Sequence, residues 1–244
     1  MKAKSRKRLL ISSVAMLLVA MVALGTATFA WFTSSTTATA SGINVKTVKS
    51  SELVISKSDK DWKTVVDYGV ANKVLLPAST STGTSWFSAE AETKTAFDKK
   101  TGTEFAGIGD GGNYYFADEL NVMNRGEATV ENVTISFSGL TNKYARVAVV
   151  EADSTSNIKG TFTESVYDVD GAAYDAVVDA TNTKSITPKT TYTINVGNLA
   201  HNEAKYYNIY VWFEGQDEQC FDDNAGQAIE DITFTVTGET EDQV

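Results

Sequence analysis

An all-β fold is predicted by three observations. Apolar and polar residues alternate with period two in several short runs, and Gly, Asn and Asp punctuate those runs. Proline occurs only twice in 244 residues, while Thr, Ser, Val, Ile and aromatic residues recur. β-Branched and aromatic side chains suit a pleated, half-buried surface, and alternation marks strands with one face inward. The prediction is an antiparallel β-sandwich of jelly-roll type over residues 43–238, with long loops and one or two short helices, behind an apolar N-terminal helix. A hydrophobic fraction of 42% is enough to build its core. Residues 31–42 form a Ser/Thr-rich linker or donor segment, and 239–244 a polar tail.

The N-terminal helix is read from residues 1–30. Lys2, Lys4, Arg6, Lys7 and Arg8 precede an apolar stretch from Leu9 to Leu24, and small residues follow up to Ala30. This is the tripartite pattern of an export signal, with Thr28 and Ala30 placing the cut between Ala30 and Trp31. The alternative is an uncleaved anchor, since the charge-free run from Leu9 to Phe32 is long enough to span a bilayer. In both cases the basic end stays inside and the body lies outside.

The strands follow in order. Ile43 to Val48 is β-branched and apolar at Ile43, Val45 and Val48, and Glu52 to Ser56 is a short apolar strand. Tyr114 to Met123 comes next, and Asn124-Arg125-Gly126 reads as a tight hairpin turn. Val130 to Phe137 alternates, with Val133, Ile135 and Phe137 on one face and Asn132, Thr134 and Ser136 on the other. Ala145 to Val150, Thr191 to Val196, Tyr206 to Phe213 and Ile232 to Val236 complete the set. Further core candidates are Val147, Val149, Ile209, Val211, Phe213, Ile232 and Phe234. Ala89 to Phe97 reads as a short helix, and Ser165 to Ala180 as a helix or a hairpin. Residues 57–113 form a long polar connection of the kind that carries function or mobility.

Three stretches carry a resemblance. Gly25-Thr26-Ala27-Thr28-Phe29-Ala30-Trp31-Phe32-Thr33 resembles the export junction of the TasA/camelysin group, which is processed by a signal peptidase of SipW type. Leu120 to Val133 is similar to that group's strand, Asn-x-Gly turn, strand unit. Tyr210 to Cys220 resembles a W-x-E-G-x-D segment, followed by Cys, of exported clostridial proteins. The resemblance covers the N-terminus and scattered strands, and does not reach 57–113. It implies a secreted or cell-surface protein of a Gram-positive-type bacterium, structural in role, polymerising into fibres. Camelysin is described as a protease, but the zinc signature such an activity requires is missing here.

The remaining chemistry is sparse. The net charge is −10. Five of the 21 basic residues lie in the first eight positions and the first acid is Glu52, so the body is more acidic than the whole chain. Such a body repels phosphate backbones and anionic lipid, which argues against nucleic acid and leaves membrane contact to the N-terminal segment. One His, His201, cannot form a site needing two imidazoles, and one Cys, Cys220, excludes an internal disulfide. The acids around Cys220 oppose thiolate formation, so a structural Cys is expected. No catalytic constellation and no cofactor are expected. Glu214, Asp217, Asp222 and Asp223 form an oxygen-rich stretch that makes them candidate calcium ligands, although the order of an EF-hand loop is absent. Asp110-Gly111-Gly112-Asn113 and Asp168-Val169-Asp170-Gly171 are fragments of the same kind. Leu76-Pro77-Ala78-Ser79-Thr80 is not a sorting signal, lying mid-chain with no apolar tail after it.

Two functional expectations stand. The first is a matrix or surface protein that self-associates by strand addition, with Ile43, Val45 and Val48 in the assembly strand. The second is a binding module for carbohydrate or peptide, with Trp62 and Trp86 as ligand aromatics, set against the ordinary fate of aromatics in a core. A hydrolase is the third and weakest reading.

Overall fold

The computed structural model describes residues 16, 44–48, 53–68, 74–88, 106–107, 112–179, 182–217, 220 and 231–240. The chain divides into two units, Met1–Thr39 and Ala40–Val244. Of the first, Met16 alone is described, helical and exposed. The export segment with Ala30 and Trp31, Ile43, the helix expected at 89–97, and Asp222 and Asp223 all lie outside the described residues. Among the described residues no helix is long and apolar enough to cross a membrane.

The second unit is all-β. One five-stranded sheet runs in the order β12 (Thr193–Leu199), β7 (Val130–Ser138), β14 (Thr233–Thr240), β1 (Asn44–Val48), β3 (Val65–Asp67). The other runs β2 (Leu53–Ser56), β6 (Tyr115–Asn124), β13 (Ala204–Phe213), β8 (Ala145–Ala152), β9 (Val166–Tyr167). Two small ribbons, β4 (Phe87–Ser88) with β5 (Ala106–Gly107) and β10 (Tyr174–Asp179) with β11 (Asn182–Ile186), accompany them. Among the described strands every pairing is antiparallel except β1 with β14, which is parallel and runs from Asn44↔Thr233 to Val48↔Thr237.

The two large sheets share one core, in the manner of a sandwich. Val133, Ile135 and Phe137 of β7 and Phe234 and Val236 of β14 pack in one cluster with Val147 and Val149 of β8 and Ile209, Val211 and Phe213 of β13. Ile232 joins them, so every core candidate named from alternation is buried in that cluster. Phe137 is its aromatic centre, stacked on Tyr192 at 4.7 Å and set edge-on to Tyr167 at 5.2 Å. The intervening residues Thr134, Ser136, Thr235 and Thr237 look outward, and Thr134 and Thr237 hydrogen-bond at 2.9 Å.

Two readings need correction. Asn124-Arg125-Gly126 turns the chain, but not as a hairpin, because β6 and β7 belong to different sheets. The turn is an arch organised by the buried Asn124. Its amide donates to Ala128 O and Leu199 O and its Oδ1 accepts from Gly126 N. Local turn chemistry fixes a reversal, not which sheet the next strand joins. The second correction concerns 165–180, read as a helix or a hairpin. Phe162–Glu164 is a single 3-10 turn, Val166–Tyr167 is an edge strand, and Tyr174–Asp179 starts the β10–β11 ribbon.

Candidate functional site

The second sheet is buried on both faces. The burial pattern of β13 reads as an unbroken run from Tyr207 to Phe213 rather than an alternation. Its inward side chains enter the shared core. Its outward ones, Tyr210 and Trp212, join Ala148 and Val150 of β8 in a second apolar cluster. That cluster is closed from outside by Ala78 and Trp86 of the 74–88 segment, Phe162 of the 3-10 turn, and Tyr174, Ala176 and Ile186 of β10–β11. Part of the long connection is therefore a cover.

The cover is built around Trp86. The Thr80 hydroxyl donates to Ser85 O and accepts from Thr82 N and Gly83 N, which folds 80–85 into a tight loop. The indole N–H of Trp86 donates back to Gly83 O at 3.1 Å. Gly83 has φ +73, and a Cβ there would lie 2.7 Å from the Phe162 ring, so only glycine lets the loop close on its neighbour. Trp86 then stacks on Tyr115 at 3.9 Å and meets Trp212 edge-on at 5.5 Å. It is buried in the protein, whereas Trp62, the other candidate ligand aromatic, is half-buried between β2 and β3.

Beneath the cover lies a buried charged cluster. Arg146 of β8 sits beside Trp212 in register, on the outer face. It is fully buried, as are Asp168 and Glu214. Its guanidinium donates to Lys143 O at 2.6 Å, to Ala145 O at 3.2 Å and to Asp217 Oδ2 at 2.6 Å. Asp168 Oδ2 lies 3.5 Å from the same nitrogen, and the Tyr174 ring centroid 4.9 Å from Cζ. Asp168 Oδ1 accepts the Gly171 N–H, and Tyr192 Oη donates to the Asp168 carbonyl at 2.8 Å. Arg146 Nε and Asp168 Oδ2 are buried without a hydrogen-bond partner.

Glu214 continues the row from the end of β13. Its Oε2 accepts from Trp212 Nε1 and its Oε1 from Gln216 N, both at 2.9 Å. Its backbone is tied to the cover, where Ala78 N donates to Phe213 O and Gly215 N to Ala78 O. Burial pushes the Glu214 carboxyl up to about 7, against the hydrogen bonds of Trp212, Ser79 and Gln216 and the charge of Arg146. Burial likewise raises Asp168, against the pull of Arg146.

The sequence-predicted residues fall out as follows. Of the candidate calcium set, Asp217 accepts from Arg146 at 2.6 Å, and Glu214 accepts from Trp212 Nε1 and Gln216 N. No group of three or more His, Cys, Asp or Glu is arranged to hold a metal among the described residues. Asp168 of the Asp-x-Asp-Gly fragment belongs to the same cluster, and Asp170 Oδ1 accepts from Ala172 N to shape its turn. His201 is exposed and links two turns, through Gly126 O at 2.6 Å and Asn202 Nδ2 at 2.7 Å. Cys220 is buried in the main core. Val45 and Val48 lie in β1, inside the sheet of their own chain. Sequence reasoning missed Arg146, Tyr174 and Ser79. The signal for Arg146 was present: a lone guanidinium inside the apolar run Ala145–Val150 needs a buried partner.

Glu214 and Asp168 are fully buried, and the cluster links β8, the turn after β9 and the segment after β13. Comparison with family models, with curated proteins and with solved structures finds no match for this chain.

Proposed function

We propose that this is an exported structural protein of a bacterial surface or matrix, a jelly-roll-type sandwich that polymerises by exchanging β1 between copies. The observation that carries the reading is the position of β1. It is the first described strand of the sandwich, yet it fills an internal slot between β14 and β3. Its partner β3 has three residues and holds it only from Asn44 to Lys46. A strand so placed ahead of the rest of the sandwich is exchangeable, because a second copy's β1 makes the same backbone bonds. Such pairing is heterologous and gives open filaments when the rotation does not close. The basic, apolar and small-residue start of the sequence supports export, with a signal peptidase of SipW type as the processing partner.

The test locks β1 in place. Lys46 and Thr235 are register partners, and the double variant Lys46→Cys, Thr235→Cys joins them within one chain on oxidation. Electron microscopy of the mature protein, starting at Trp31, is expected to show filaments. The oxidised variant is expected to stay monomeric and to regain assembly on reduction. Filaments that persist with the intrachain bond intact refute strand exchange, and a mature protein that stays monomeric in every condition refutes polymerisation.

A further inference from the structure

We infer that the cover over the outer face of the second sheet is a proton-operated latch: a proton held in the Arg146, Asp168, Glu214 and Asp217 cluster keeps residues 74–88 and β10–β11 seated, and its loss loosens them. The inference is independent of the strand-exchange reading and rests on three observations.

The first is charge balance. One guanidinium faces three carboxylates, two of them fully buried and the third nearly so. With all three ionised, negative charge exceeds positive by two among the described residues of the cluster, which low dielectric penalises heavily. A proton on one carboxyl relieves half of that excess.

The second is which carboxyl takes it. Asp217 receives the guanidinium directly at 2.6 Å, and Asp168 sits 3.5 Å from the same nitrogen with Gly171 N on its other oxygen. Glu214 makes neither a hydrogen bond nor an ion pair with Arg146; its two oxygens accept from Trp212 Nε1 and Gln216 N. The groups around it are Trp212 and Gln216 N from its own segment, Arg146 from β8, Ser79 from the cover and Tyr174 from β10, with Asp168, from the turn after β9, on the same Tyr174 and Arg146. The only cation among them is Arg146. The Ser79 hydroxyl can receive the acid proton of Glu214 or, after rotation, donate to the carboxylate.

The third is mechanical connection. Ser79 Oγ accepts the N–H of Val177 in β10, so one hydroxyl joins the two parts of the cover next to Glu214. Ala78 brackets Glu214 through main-chain bonds on either side. Charge that accumulates at Glu214 therefore acts on the contacts that seat the cover over Trp212 and Tyr210.

The sign follows from linkage. A carboxyl raised when closed favours the closed state in acid, and that advantage is lost as pH rises through about 7. Hydrogen exchange read by mass spectrometry on the full chain at pH 5.5 and 8.5, corrected for intrinsic exchange rates, tests it. Peptides from 74–88 and 174–186 are expected to lose about one to two orders of magnitude of protection at the higher pH. Peptides from 130–138, in the shared core, should lose less. Glu214→Gln is expected to abolish the pH dependence of the cover peptides, and Asp168→Asn, which removes one excess charge, to reduce it. Equal protection of the wild-type cover at both pH values, or parallel loss in cover and core, overturns the latch. So does an unchanged pH dependence in a folded Glu214→Gln protein. If Glu214→Gln does not fold, an Asp168→Asn protein with undiminished pH dependence overturns it instead.

Discussion

Replacing Arg146 with Met asks how much the buried cluster depends on its single cation. Met keeps an unbranched apolar stem against the Tyr174 ring and removes every guanidinium contact. Asp168 then loses the ion pair at 3.5 Å and Asp217 the bond at 2.6 Å, while Lys143 O and Ala145 O lose their donor. Removing one partner of a buried pair costs about 3–5 kcal/mol, because the abandoned charge has no water to return to. That is a large part of the ~5–15 kcal/mol that holds a typical domain folded. The loss should depend on pH, since burial already raises Asp168 and Glu214 and both take up protons more readily once the guanidinium is gone. Urea unfolding followed by tryptophan fluorescence at pH 5 and pH 8 reads both numbers. The expected result is the full loss at pH 8 and a distinctly smaller one at pH 5. Neutralising the acids as well, in Arg146→Met, Asp168→Asn, Asp217→Asn, should restore most of the stability. A cost below about 1 kcal/mol at pH 8, or an equal cost at both pH values, would show that the cluster is better solvated than its burial implies.

Three further outcomes are expected. Phe137→Ala, at the centre of the ring cluster with Tyr192, Tyr167 and Phe234, should cost about 3–5 kcal/mol in urea unfolding. Gly139→Ala should destabilise by about 1–3 kcal/mol or more, because Gly139 has φ +97 and an added Cβ would lie 2.1 Å from Asp231 O, a backbone atom that cannot swing away. Global stability of the wild type should fall by about 3 kcal/mol between pH 4.5 and 7 through Glu214, whose carboxyl rises from 4.5 to about 7 on folding, and a urea series on Glu214→Gln should lack that slope.

The shared core was legible because β7 and β14 alternate cleanly. Val133, Ile135 and Phe137, and Phe234 beside them, could only be buried together while Thr134 and Ser136 stayed wet. The double burial of the second sheet was not legible from alternation. Both faces of β13 and β8 are apolar, and what covers the outer face is spread over Trp86, Phe162, Tyr174 and Ile186, each set in polar sequence. Long-range packing recruits such isolated aromatics, and no local period announces it. The acidic stretch after Trp212 was read as a place for a cation. The structure adds a partner that this reading did not contain: Arg146 of β8, about 70 residues earlier, donates to Asp217. Sequence spacing finds ligands contributed by one loop and misses a counter-ion donated across a sheet.

The parallel pairing of β1 with β14 has a consequence for how the chain acquires its structure. Asn44 and Thr233 are neighbours in space but about 190 residues apart along the polypeptide. Closing so long a loop carries a large entropic cost before any contact repays it, and such pairings form late. During synthesis β1 emerges before the other described strands, and its main partner β14 is the last of them to be made. Until β14 is in place, the slot between β14 and β3 does not exist, and β1 remains without its main partner while about 190 further residues are made.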